Sequence, residues 1–278
     1  MSIQKPSTDK EAPLIEHLKE LGLRIRNMLI YLAIFFFIYF AFGISTIKVD
    51  SFTLPILYPS IYNSIAIQFT NVFLDREKPS GLHLITLNPF DPLYSSMYVS
   101  LLLAIVSAFP LIFREFWAFV APGLYEHEKR TIRKVLLPAT SLFIAGASFA
   151  YFIIIPFMML FVYKLDLSLG VEPTLSLRAY VSTIVTLMIA VGASFEFPLV
   201  MTSLTQLGLV KAQTWRQNWR WGVLVSFIIA WIISPGTTGG VIETTIAVTL
   251  SSLYFIGVIV SSIIEKRNTK NKNELLVK

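Results

Sequence analysis

Apolar residues along this chain fall into six long runs, and polar residues collect in the stretches between them. About 20 apolar residues in a helix cross a hydrocarbon core of about 30 Å. The runs therefore predict membrane-spanning helices at 27–44, 93–113, 135–163, 179–204, 219–234 and 241–264. The fifth is short: the uncharged stretch 221–234 makes about 21 Å of helix at 1.5 Å per residue. The third is long and uncharged over 135–163, with Pro138 and Pro156 as places for a bend. Ahead of the first run, Leu14, Ile15, Leu18, Leu21 and Ile25 recur at three- and four-residue spacing among charged neighbours. That pattern predicts an amphipathic helix on the membrane surface, within a polar N-terminal segment 1–26.

The segment 45–92 is ambiguous. Residues 54–74 carry no charge, yet they include Pro55, Pro59, Asn63, Gln68 and Asn71. Charge placement decides. With six spans and the N-terminus inside, 18 Lys and Arg fall inside and 5 outside. A seventh span at 54–74 turns this to 9 inside and 14 outside, against the bias of cytoplasmic loops toward Lys and Arg. The expectation is an external, partly helical cap within loop 45–92, a membrane domain over 27–264, and a basic cytoplasmic tail over 265–278. Both termini then lie in the cytoplasm.

Composition agrees. The chain has 278 residues, of which 55% are hydrophobic and 14% charged, where soluble domains run nearer a quarter charged. The net charge of +6 records topology and does not by itself imply nucleic acid. Residues 1–26 are too polar and too rich in acids for a cleaved secretory signal, so the first span is retained. There is no cysteine, and the three histidines, His17, His83 and His127, lack metal-ligand spacing. No intramembrane histidine, aspartate pair or glycine-rich phosphate loop is present. No cofactor or metal is expected, nor an enzyme.

A few acids stand out. Glu196 lies deep in the fourth run, where a carboxylate is costly and should face protein or a wet cavity. It is either a packed structural acid or a polar site for a partner helix or a transported group. Pro198 frees backbone carbonyls nearby. Glu20 and Glu128 read from spacing alone as solvated surface charge. Glu243 opens the sixth run, where a helix N-terminus favours an acid. Phe116, Trp117 and Phe119 fit an interfacial aromatic belt. Residues 266–272 form a basic stretch suited to anionic lipid headgroups.

Four stretches change this reading: PLIEHLKEL at 13–21, FWAFVAPGLYEHEKR at 116–130, GASFAYFIIIP at 146–156 and GASFEFPLV at 192–200. In content and order they resemble the TatC family, the multispan receptor subunits of the twin-arginine protein translocase. The resemblance covers about residues 13–264. It implies an all-α polytopic fold of six transmembrane helices, N-in/C-in, with a concave TatC-like shape and short fifth and sixth spans. It implies a protein-transport role in the cell membrane: binding twin-arginine signal peptides of folded precursors at the cytoplasmic face, and assembling with single-span Tat partners of the TatA and TatB type, driven by the proton-motive force. Self-association in a larger complex is implied as well. By motif position, Glu20 and Glu128 resemble the signal-binding glutamates and Phe119 their companion aromatic. Glu196 resembles the intramembrane acid of the concave face. Tyr151 and Pro55 resemble further family positions.

Two departures stand against this. Gly22 occupies a place where the family usually has arginine, with Arg24 and Arg26 following. The turn at Ser234-Pro235-Gly236-Thr237 lacks the acid that the family often carries there. Two other classes remain as rivals: a solute or ion transporter using Glu196 as proton site, and a structural membrane protein without cargo.

Overall fold

The computed structural model describes residues 14–49, 52–77, 81–120, 126–234 and 239–276. Side chains are described for 18–46, 54–72, 74, 81–119, 136–234 and 239–267. Among these, the fold is a bundle of long helices capped at one end by small β elements. Five helices are long and apolar enough to cross a membrane, over Leu18–Ala41, Asp91–Phe119, Leu136–Ser168, Leu177–Gln206 and Val241–Arg267. A shorter apolar helix, Trp219–Ile233, joins them.

Helix α1 (Leu14–Ala41) runs unbroken from the polar segment into the first span. A separate surface helix within 1–26 is therefore not what forms from residue 14 onward. No proline interrupts the stretch, and a polar face alone does not end a helix. The chain then forms an antiparallel hairpin, β1 (Phe42–Val49) and β2 (Phe52–Pro59), in a register that pairs Phe42 with Pro59 and Thr46 with Pro55. Helix α2 (Ile65–Glu77) follows. The expected cap is thus helical only in its second half. The β-branched residues Ile44, Thr46, Ile47, Val49 and Thr53 suit a strand, and Pro55 and Pro59 sit in a two-stranded ladder where missing donors are tolerated. A short strand β3 (His83–Ile85) leads to α3 (Asp91–Val120). Asp91 opens α3 and fastens the segment before it, its Oδ2 accepting the N–H groups of Leu87 and Asn88 at 2.9 and 3.0 Å.

Helix α4 (Glu126–Phe149) passes through a five-residue π-helical segment, Ala150–Ile154, into α5 (Ile155–Ser168). Pro156 has no N–H to give back to the preceding turn, and the widened turn lies directly before it. The irregularity expected in this long span is thus at 150–156, while Pro138 lies within regular helix. Strand β4 (Thr174–Ser176) pairs in parallel with β3. The fourth run is two helices, α6 (Leu177–Phe195) and α7 (Phe197–Gln206), with Glu196 at the joint. Helix α8 (Ala212–Gln217) precedes the short α9 (Trp219–Ile233). Its 15 residues span about 22 Å at 1.5 Å per residue, shorter than a hydrocarbon core of about 30 Å. Helix α10 (Val241–Leu276) closes the chain. The tail expected from residue 265 continues this helix.

The core lies between α3, α4, α6 and α10, around Phe143, Ile154, Tyr180, Ile184, Leu187 and Ile246. Helix α1 packs along α3, and α9 and α7 pack on α10. Small residues permit the close approaches: a Cβ on Gly222 of α9 would collide with the Tyr254 ring of α10.

Candidate functional site

At the end of the bundle away from the hairpin, α1 and α3 are tied by charge. Arg24 lies one turn after Glu20 on α1, and its Nη2 donates to Glu20 Oε1 at 3.1 Å. Its Nη1 donates to Glu115 Oε2 on α3 at 2.9 Å. Arg114 holds the other oxygen of Glu115, Oε1, at 3.0 Å and reaches the Tyr31 hydroxyl of α1 at 3.2 Å. Farther along the same pair, the hydroxyls of Tyr39 and Ser107 lie 2.6 Å apart. The geometry follows from antiparallel packing: positions rising along α1 meet positions falling along α3. Glu115 carries only 5% of its side-chain surface exposed, against 32% for Glu20 and 30% for Arg24. A buried acid needs such partners, since an unpaired charge there is costly.

Glu115 escaped the sequence reading. It sits in FREFW, at the edge of an apolar run, and looks like an interfacial charge until α1 is laid against it. Phe119 stands four residues later, on the same face of α3. The structure thus joins Glu20 to the end of α3 that carries Phe119, by way of Arg24 and Glu115. Glu128 lies in the first turn of α4, eight residues after α3 ends. Its side chain lies outside the described residues, as do residues 121–125.

Glu196 occupies a different place. Pro198 follows it at the second position of α7, and the break between α6 and α7 puts Glu196 at the end of one helix and the start of the next. It is one of the residues lining a cleft of about 290 Å³ between α6, α7, α9 and α10, with both carboxylate oxygens covered. Ser194, Phe197, Val200, Val225, Ser226 and Ile229 are among its walls. The residue is 8% exposed. Neither carboxylate oxygen makes a hydrogen bond of good geometry, although the Phe143 backbone comes close enough to act on the group.

Tyr151 is buried within the π-helical segment, its ring edge-on to Phe152 with centroids 4.9 Å apart. Pro55 is an edge residue of β2, remote in the fold from the Glu20 cluster. The turn after α9 lies largely outside the described residues, but a carboxylate does stand beside it: the Ser234 hydroxyl donates to Glu243 Oε1 at 2.8 Å, and both residues are buried. Glu243 is therefore more than an acid at a helix start. No group of three or more His, Cys, Asp or Glu suited to a metal ion occurs among the described residues.

The two GASF stretches meet in space. Gly146 on α4 and Gly192 on α6 form the crossing point of these helices, and the rings of Phe149 and Phe195 pack beside it at 5.6 Å.

Comparison with known proteins agrees with this geometry. The sequence matches the family model for Sec-independent protein translocase protein (TatC) over residues 16–249. The TatC proteins of Cenarchaeum symbiosum (strain A) and Aquifex aeolicus (strain VF5) are 30% and 31% identical to it, over 93% and 95% of this chain and 96% and 98% of theirs. A crystal structure of the twin-arginine translocase receptor TatC in DDM superposes with a TM-score of 0.71 at 29% identity, covering 88% of this chain and 99% of that one. On the match over residues 16–249, and with a multispan bundle to accompany it, this chain belongs to the TatC family of Sec-independent protein translocase proteins.

Proposed function

We propose that this translocase subunit binds the twin-arginine signal peptide of folded precursors through Glu20, Glu128 and Phe119, at the cytoplasmic face of the cell membrane. The observation that carries the reading is the Glu20 carboxylate already engaged by a guanidinium at 3.1 Å, beside the end of α3 that carries Phe119. Carboxylates fixed on separate helices suit two adjacent arginines, each a planar fork that lysine does not reproduce. Each charge-assisted bond contributes about 1.5–3 kcal/mol, less where solvent reaches it. Phe119 supplies an apolar floor or a cation–π face.

Both termini lie in the cytoplasm in this reading, and the hairpin and α2 cover the outer face. The Glu196 cleft receives a polar residue from the transmembrane helix of a single-span Tat partner, or the signal hairpin, during export driven by the proton-motive force. Its walls are mostly apolar, which suits a helix better than a hydrated solute path. A photo-crosslinker placed at Phe119 tests the peptide site: it should capture a twin-arginine peptide and lose it to excess unlabelled peptide. Capture that ignores the competitor would refute the assignment.

A further inference from the structure

Arg24 holds two carboxylates at once, Glu20 at 3.1 Å and Glu115 at 2.9 Å. A planar fork between acids of two helices is the arrangement that an arginine from a bound peptide would itself make. Here the fork belongs to the chain. Solvent reaches the pair from the Arg24 side, since Glu115 is almost wholly covered and Arg24 is not. Arg24 is a long side chain tied in place by these two acids alone among the described contacts. Lifting it away without a substitute leaves Glu115 Oε2 buried and unpaired, which is unfavourable. Replacing it with another guanidinium is not. Arg114 meanwhile retains the second oxygen of Glu115, at 3.0 Å.

We propose that Arg24 is an internal occupant of the peptide site and that Glu115 is a further carboxylate of that site. A peptide arginine takes the place of the Arg24 fork on Glu115 and Glu20, and Arg24 swings out to solvent. The exchange conserves the ion pairs, so the site stays charge-balanced with or without peptide. A lysine in the peptide reaches one carboxylate as a point charge and does not replace a bridging fork. The proposal rests on reading Glu20 as a signal-binding acid.

The test is equilibrium binding of a twin-arginine peptide and its twin-lysine counterpart to the full chain in nanodiscs, using wild type, R24Q, R24K and E115Q. R24Q should bind the twin-arginine peptide about two- to five-fold more tightly, the worth of displacing an ion pair that solvent reaches from one side. R24K should fall between R24Q and wild type, and E115Q should bind more weakly than wild type. R24Q and E115Q break the same bridge between α1 and α3, so a purely structural role moves both in one direction; opposite directions mark the exchange. R24Q binding no tighter than a discriminating wild type, or E115Q binding as tightly, overturns the exchange alone. A wild type that binds both peptides alike overturns the receptor reading and the exchange with it.

Discussion

Gly146 and Gly192 touch where α4 crosses α6: a Cβ on Gly146 would lie 2.9 Å from the Gly192 Cα and 2.7 Å from the Phe195 ring. Helix pairs in lipid gain little from apolar burial between them and depend on close packing. Gly146→Leu should therefore cost about 1–3 kcal/mol through overpacking, read as a lower thermal midpoint of the purified protein in detergent. Gly22→Ala is the control, because its Cβ meets nothing within 4 Å and alanine suits a helix better by about 1 kcal/mol. Equal midpoints for Gly146→Leu and wild type would show that the crossing tolerates separation.

Glu196 is a buried acid without a well-formed hydrogen bond, set in an apolar cleft. Removing an unsatisfied polar group relieves about 1–3 kcal/mol of desolvation cost. Glu196→Leu should raise thermal stability while lowering export of a folded twin-arginine precursor. That opposition is the mark of an acid kept for function. A variant that is less stable and still exports normally would make Glu196 a structural acid instead.

The Ser234–Glu243 bond is buried and charge-assisted, at 2.8 Å. Ser234→Ala should destabilise the chain by about 1.5–3 kcal/mol. Glu243→Gln should lose part of that, and the double variant less than the sum of the two. Strict additivity in such a cycle would mean that the two residues act independently.

Orientation has a direct probe because the chain contains no cysteine. Single cysteines at Tyr62, which is exposed beside the hairpin, and at Asn271 in the last turns of α10 are sufficient. In intact cells, an impermeant maleimide should label Tyr62→Cys and reach Asn271→Cys only after permeabilisation. The reverse pattern would invert the topology.

Much of the bundle was legible in the sequence, because long apolar runs leave few alternatives to a spanning helix. The shortness of α9 and the irregular backbone near Pro156 were legible too, from charge-free length and from proline. What escaped lies where apolarity gives no signal. Helices α1 and α10 run past their apolar stretches, because polar residues such as Arg24 or Lys266 do not end a helix without a breaker. The strands at 42–59 escaped because β2 runs into the uncharged stretch 54–74 read as one unit, and the β-branched positions Ile44, Thr46, Ile47 and Val49 lie ahead of that stretch. Glu20 and Phe119 could be chosen only through motif resemblance, since spacing alone left them as surface charge and aromatic belt, whereas Glu196 stood out by itself as a carboxylate deep in an apolar run. Glu115 could not be chosen at all. Its importance comes from α1 lying along α3, a relationship between positions 91 residues apart.

The central claim is that this surface recognises paired arginines, and it is tested by peptide binding in nanodiscs at two ionic strengths. A twin-arginine peptide should bind the wild-type chain at least ten-fold more tightly than a twin-lysine control, about 1.4 kcal/mol. Added salt should weaken that binding by screening, and Glu20→Ala or Glu128→Ala should each remove most of the preference. Equal binding of the two peptides, or a preference undiminished in Glu128→Ala, would contradict the account.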